Sequence, residues 1–321
     1  MTLQQHRQSL RLQLMAALGA VALVGGTANA ASAPPFSHPP GHAQAQAGSV
    51  DWQAVEQAMG KAGTLQAGDV YRVSLPRTDL QVTARGVPVQ AALALGSWVA
   101  FKSMGSETMV MGDLVLTEDE LNPVMLALQQ GGVEQTAVHN HLLGESPRVL
   151  YMHISGHGDP VRLAETIHSA LTLSGTPFTA PAAAAPADPG LDTAHLEAIL
   201  GYKGNASGSV YQFSIPRAER ITDMGMEVPP AMGTGTAINF QPTGGGRAAI
   251  TGDFPLLASE VNPVIRALRD NGVEVTALHS HMLSEQARFF FMHFWANDDA
   301  LMLARGLHAA LDQINSAAPF S

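Results

Sequence analysis

Between residues 50 and 175 the apolar positions change period several times, and each change marks an element. Trp52, Val55, Ala58 and Met59 recur at helical spacing behind Ser49, which reads as an N-cap. Residues 70–75, 80–85, 97–102 and 107–116 carry the short apolar runs and alternations of strands. Asn122-Pro123 predicts a helix start, a cap followed by proline in the first turn, with Gly131-Gly132 closing that helix. Residues 133–141 and 149–155 predict two more strands. Residues 159–173 return to helical spacing, apolar at Val161, Leu163, Ala164, Ile167 and Leu171. A helix, four strands, a helix, two strands and a closing helix predict an α+β domain, a mostly antiparallel sheet with flanking helices.

The pattern is then written a second time. Residues 111–153 and 251–293 align at a constant offset of 140 without a gap, and 21 of 43 positions are identical. Both stretches carry Gly-Asp (112–113, 252–253), Glu-x-Asn-Pro-Val (120–124, 260–264), Gly-Val-Glu (132–134, 272–274) and Thr-Ala-x-His-x-His (136–141, 276–281). Upstream, Val70-Tyr71 matches Val210-Tyr211 and Pro76-Arg77 matches Pro216-Arg217. A period of that length is a duplicated domain rather than a solenoid. The expected organisation is repeat one at 49–175, an Ala/Pro linker at 176–190 and repeat two at 191–321, each with its own core.

The first 48 residues follow neither rhythm. Arg7 and Arg11 precede an apolar run at 12–26, and Ala28-Asn29-Ala30 forms a cleavage pattern. This is the three-part secretory signal, and the run is short of the roughly 20 residues that a spanning helix needs. Residues 1–30 are expected to be removed, leaving no membrane anchor, and 31–48 to be a disordered leader. The mature protein is expected in the periplasm or outside the cell. Charged residues are 14% of the chain, the formal charge is −10, and the lysines are Lys61, Lys102 and Lys203. That balance argues against nucleic acid and against an anionic membrane surface. With no cysteine, disulfides, thiolate metal sites and thiol nucleophiles are excluded.

The remaining chemistry gathers in one motif. His139, His141, Glu145, Arg148 and His153 recur as His279, His281, Glu285, Arg288 and His293 at identical spacing. Residues two apart on a strand share a face, so each His-x-His pair points two imidazoles the same way. A third histidine on the next strand completes the set if a wide loop at 143–149 lets His153 sit opposite His139. Three imidazoles with an open fourth position form the ligand set of a hydrolytic zinc site, although neutral imidazole suits copper, nickel and iron as well. Glu145 and Glu285 would then serve as a fourth ligand or as general base, and Arg148 and Arg288 as a fork for a substrate carboxylate or phosphate. Glu120 and Glu260 read as helix-start caps, Asp113 and Asp253 as turn residues, His168 and His308 as helix packing, and Met152 and Met292 as core. The expectation is two divalent ions per chain in separate sites, with binding that weakens through the imidazole range near pH 6.5. The sites would merge only if the duplicated sheets packed face to face.

The stretch Gly-Val-Glu-x-Thr-Ala-x-His-x-His-x-Leu…Arg…Met-His, present twice, resembles the LppY/LpqO family of lipoproteins, a domain of unknown function. The likeness covers both repeats, but this chain lacks the lipoprotein cysteine. More distantly, His-x-His followed by a third histidine resembles the acetolactate decarboxylase and PPC-domain superfamily. That resemblance implies zinc ligation by His139, His141 and His153, and again by His279, His281 and His293.

Three functions remain open on the sequence. They are a metal-dependent hydrolase or lyase acting on a small metabolite, a non-catalytic module binding a metal, small ligand or cell-wall component, and a duplicate whose histidines are vestigial. The glutamate and arginine beside the histidines favour the first, since metal storage needs neither. No nucleophile elbow or phosphate loop is present to decide it.

Overall fold

The computed structural model describes residues 50–105, 107–179 and 190–318. The expected signal and leader, and residues 180–189 of the expected linker at 176–190, lie outside the described residues. No described helix is long and apolar enough to cross a membrane.

Each repeat builds the same six-stranded sheet. In repeat one the spatial order is Thr64–Gln66, Val70–Pro76, Gly96–Met104, Glu107–Thr117, Val149–Gly158, Glu134–His139, every neighbour antiparallel. Repeat two repeats the order with Asn205–Ser207, Val210–Ile215, Thr236–Gly244, Arg247–Leu256, Phe290–Asp299 and Glu274–His279. Strand alternation divides each sheet into two faces. Val73, Leu75, Val99, Phe101, Leu114, Leu116, Met152 and Ile154 face helices Trp52–Met59, Glu118–Gln130 and Pro160–Leu171 and form the core of repeat one. The equivalent face of repeat two packs on Thr193–Leu200, Val261–Asp270 and Ala300–Leu311. A fully buried side chain of this size contributes about 2 kcal/mol, so each repeat holds a substantial core of its own.

The other faces meet each other. Val82, Val89 and Leu93 of repeat one pack against Val210, Ala249 and Trp295 of repeat two. In return Ile221, Val228 and Met232 of repeat two pack against Val70, Ala100 and Met109 of repeat one. Both repeats therefore lie in one compact unit, Gln46–Ser321, with helices outside and the two sheets between them.

Several local expectations shift. The first helix is capped by Asp51, which accepts from the Gln53 and Ala54 amides at 3.1 Å; Ser49, the expected cap, lies outside the described residues. The second helix starts at Glu118 rather than at Asn122, because Thr117 and Glu120 form a capping box. Glu120 also grips Arg77 through both oxygens, at 2.8 and 3.0 Å, with Asp79 on the other side of the guanidinium. Glu260, Arg217 and Glu219 repeat this clasp in the second copy. Asp113 and Asp253 lie in the middle of strands, not in turns. The spacing does not predict strand Val87–Val89, whose valines pack against repeat two, or the short helix Ala91–Ala94, which lines the space between repeats.

Candidate metal centre

Six histidines meet where the sheets face each other. In each copy the strand carrying His-x-His pairs with the strand carrying the third histidine, but the register differs from the expected one. His153 sits opposite Ala137, and His139 opposite Tyr151, with a bulge between Gln135 and Ala137. The second copy has the same bulge and pairs Ala277 with His293. The rings still approach, because diagonal neighbours lie within reach of long side chains. Centroids of His139 and His153 are 5.0 Å apart, as are those of His279 and His293.

Nε2 of His279 and Nε2 of His293 lie 2.9 Å apart within copy two, but the closest stacking of histidine rings runs between copies. His139 stacks on His279 with centroids 3.5 Å apart, His141 on His293 at 3.8 Å, and His153 on His281 at 3.8 Å. Exchanging copies maps this set of pairs onto itself, the signature of a two-fold interface. Thr276 Oγ1 donates to the His141 carbonyl at 2.6 Å, and Thr136 Oγ1 returns the bond to His281. Tyr151 closes the stack over His141 and Phe291 over His281, both at 3.4 Å. The expected separate sites are therefore replaced by one cluster, because the duplicated sheets do pack face to face.

Ligand-distance groupings follow the same geometry. His279, His281 and His293 come together as the sequence predicts, whereas copy one has no triad of its own among the described residues. Its rings join across copies, as His139, His141, His293 and as His139, His153, His279. Any two of these three groups share one histidine, so two full triads cannot be filled at once without a bridging ring.

Backbone carbonyls orient the rings. Nδ1 of His139 faces the Asn140 carbonyl at 3.3 Å, Nδ1 of His279 the Ser280 carbonyl at 3.2 Å, and Nδ1 of His293 the Gly252 carbonyl at 2.8 Å. A proton held at Nδ1 leaves Nε2 with its lone pair, the arrangement that metal-binding histidines use. The Gly-Asp dipeptide explains itself here. Gly252 supplies that carbonyl, and a side chain in its place would meet the Ala237 carbonyl at 1.9 Å. Asp253 Oδ2 lies 3.4 Å from His281 Nε2, and Asp113 Oδ2 lies 3.6 Å from His141 Nε2.

Burial sets the charge state. It pulls the His139 imidazole down to about 3, aided by His279, and the His279 imidazole down to about 4. Burial and then neighbouring histidines hold His141, His153, His281 and His293 well below the usual range. All six rings are thus neutral, and ligation-competent, at pH 7. Loss of binding near pH 6.5 is not expected, since the folded rings do not take up protons there. Burial moves the two aspartates upward, Asp113 to about 7 despite Arg72, and Asp253 well above the carboxylate range.

The four loop residues do not join the cluster. Glu285 is buried, accepts from Arg288 Nη1 at 3.1 Å and from the Phe289 amide at 3.2 Å, and so braces its own loop. Arg288 is spent on Glu285, Ser280 and the Leu283 carbonyl. Glu145 pairs with Ala84 in a small three-stranded sheet, and the Tyr151 hydroxyl is pushed up by burial first, then by Asp113 and Glu145. Arg148 is exposed, 3.7 Å from Glu118. None of the four lines the cavity of about 740 Å³ between the copies; Asp113, Asp253, His141, His153, His281 and His293 do. Arg72 and Trp98 line it too, with the Arg72 guanidinium 4.0 Å above the Trp98 ring. The recurring Gly-Asp was the available sequence signal for the aspartates; Arg72 has none, since Gln212 replaces it in copy two.

Comparison with known proteins supplies a family without an activity. The family described as Domain of Unknown Function (DUF1259) matches residues 53–173 and again 194–313. No curated protein matches. Among solved structures the chain is similar to a trimeric bacterial microcompartment shell protein, PduB, at 14% identity over 78% of this chain and 90% of that one, TM-score 0.19. It is also similar to EtuB from Clostridium kluyveri at 10% identity over 79% and 90%, TM-score 0.20. Superpositions that loose carry no argument about this molecule.

Proposed function

This chain belongs, in two tandem copies, to the family described as Domain of Unknown Function (DUF1259), and we propose that the copies jointly hold one divalent metal ion. The observation that carries this reading is a set of orphaned atoms. Nε2 of His139, His141, His153 and His281 and Oδ1 of Asp113 and Asp253 are buried without a hydrogen-bond partner. Leaving such atoms unpaired costs about 1–3 kcal/mol each, and they all border one cluster. Neutral imidazoles oriented through Nδ1 and flanked by carboxyls fit a zinc-class ion. Because the three possible triads overlap pairwise, the expected stoichiometry is one ion per chain.

Such an ion supplies Lewis acidity toward a carbonyl or ester oxygen. The chain's own groups do the rest. Asp113 and Asp253 sit one on each side of the cluster, within reach of a ligand in the cavity, and can hold or move a proton there. The cavity has the size of a small-molecule site. We read the activity as hydrolysis or lyase chemistry on a small metabolite, in line with the resemblance to three-histidine decarboxylases and hydrolases. The signal-like residues 1–30 support export to the periplasm, and the motif supports kinship with the LppY/LpqO lipoproteins.

Elemental analysis of protein purified from metal-replete medium tests the reading. About one equivalent of zinc or a similar metal per chain is expected. Metal-free protein from that medium would overturn it.

A further inference from the structure

Among the described residues two arginines are buried and saturated with partners, and a third, Arg72, is half-buried. Arg77 and Arg217 each have a 1% exposed side chain and hold two carboxylates apiece. Arg72 is treated differently. Its one hydrogen bond among the described residues goes from Nη1 to the Ala231 carbonyl of the other copy, and its flat face lies on Trp98. No carboxylate of the described residues comes within ion-pair distance of it. Nε and Nη2, one edge of the guanidinium fork, have no acceptor among the described residues. Arg72 is also the single lysine or arginine among the residues lining the cavity.

Its position relates it to the cluster. Ser74, Trp98, Asp113 and His153 are consecutive cross-strand partners, a row across the inner face of the sheet. Arg72 stands two residues from Ser74 on the edge of that row and leans over Trp98. Two strand spacings, roughly 10 Å, separate its strand from that of Asp113. The equivalent row in copy two reads Ser214, Ala237, Asp253, His293. There Gln212 stands for Arg72, with its amide committed to the Ala92 carbonyl at 2.7 Å, and Ala237 stands for Trp98. One end of the cavity is thus cationic and aromatic, and its counterpart is neutral.

We propose that Arg72, stacked on Trp98, anchors the anionic end of a small hydroxylated organic acid or phosphate ester whose other end reaches the histidine cluster. The free edge of a half-buried guanidinium that lines a cavity offers a planar fork for a bidentate oxyanion. Burial lowers Arg72 only to about 10, so it keeps its charge at pH 7. Ser74 and Thr78 of copy one and Ser214 of copy two line the same cavity and supply partners for hydroxyl groups. The inference rests on the proposed metal function for the ligand's reacting end, but the anchoring of the anion does not require the ion.

Calorimetric titration of the full chain, metal-loaded and metal-free, with gluconate, glucose 6-phosphate and sorbitol tests it. At least one anion should bind at least tenfold more tightly than neutral sorbitol, and which anion does so separates carboxylate from phosphate. Arg72→Gln should lose at least tenfold of that affinity, Arg72→Lys less, and Arg247→Gln, which removes an exposed charge elsewhere, none. A thermal melt of each variant confirms that it is folded. Anions binding no better than sorbitol, or binding Arg72→Gln as tightly as the parent, would overturn the inference. Metal content of the same samples keeps the two proposals apart. Metal without anion selectivity sinks this one alone, and Arg72-dependent binding to a chain that takes up no metal sinks the other.

Discussion

The two copies keep the same rings and carboxyls but have diverged around them. Three histidines, the Gly-Asp dipeptide, the Thr that bonds to the opposite His-x-His, and the arginine clasp occupy equivalent places in both. Arg72, Trp98, Tyr151 and the exposed Arg148 of copy one face Gln212, Ala237, Phe291 and the loop-bracing Arg288 of copy two. A pair of stacked rings needs both partners, so neither copy can drift at the cluster without orphaning the other. The cavity wall carries no such reciprocity. Paired substitutions should therefore have equal effects at the cluster and clasps, and unequal effects on the walls and loops.

The largest effect should come from pH on the metal-free protein. The folded rings stay neutral well below 6.5, whereas an unfolded chain protonates its histidines near 6.5. Between about pH 6.5 and pH 4 the unfolded state holds more protons, so stability falls as pH falls. Asp113 and Asp253 oppose this, because their raised folded values, about 7 for Asp113, make the native state the better proton binder above about pH 4. Six imidazoles against two carboxyls leave acid destabilisation in excess, worth about 1.4 kcal/mol per pH unit for each net proton. Urea midpoints at pH 7.5 and 5.5 measure it, and His153→Gln and His293→Gln should flatten the slope alike.

Next in size are the clasps. Arg77→Ala and Arg217→Ala should each cost about 3–5 kcal/mol in urea unfolding, since each strands two carboxylates. Costs differing by more than about 1 kcal/mol would break the claimed equivalence. Asp113→Asn and Asp253→Asn should each lower zinc affinity about ten- to hundredfold, the usual effect of a group supporting the ligands. A competition titration with a chromogenic chelator reads both.

The smallest effects should be unequal. Glu285→Gln should cost about 1–2 kcal/mol by weakening two buried bonds, and Glu145→Gln much less. Tyr151→Phe removes the bond to the Ala94 carbonyl and makes copy one match copy two, for about 1 kcal/mol.

Much of this arrangement is legible in the chain. The duplication, the α+β order of elements and all six histidines follow from period and spacing alone. The register does not, because a bulge at residue 136 leaves no mark in the pattern of side chains. Asp113 reads as a turn residue since glycine precedes it, yet that glycine serves the close approach of a neighbouring strand. The inner faces hide best. Arg72, Ser74, Gln212, Ser214 and Asn239 alternate with apolar residues as on a solvated sheet, and only the second copy turns that face into an interior. Sequence periodicity describes one sheet at a time, so a site completed by two sheets falls outside its reach.

The central claim is that both copies build one metal centre. Zinc content and affinity of the parent, His139→Ala and His279→Ala, measured side by side on folded protein, test it most directly. One ion per chain in the parent is expected. Either substitution removes two of the three possible triads and should lower the affinity for that single ion, which is left with one triad to hold it. Two ions in the parent, with each variant retaining one at undiminished affinity, would mean two independent sites and contradict the account.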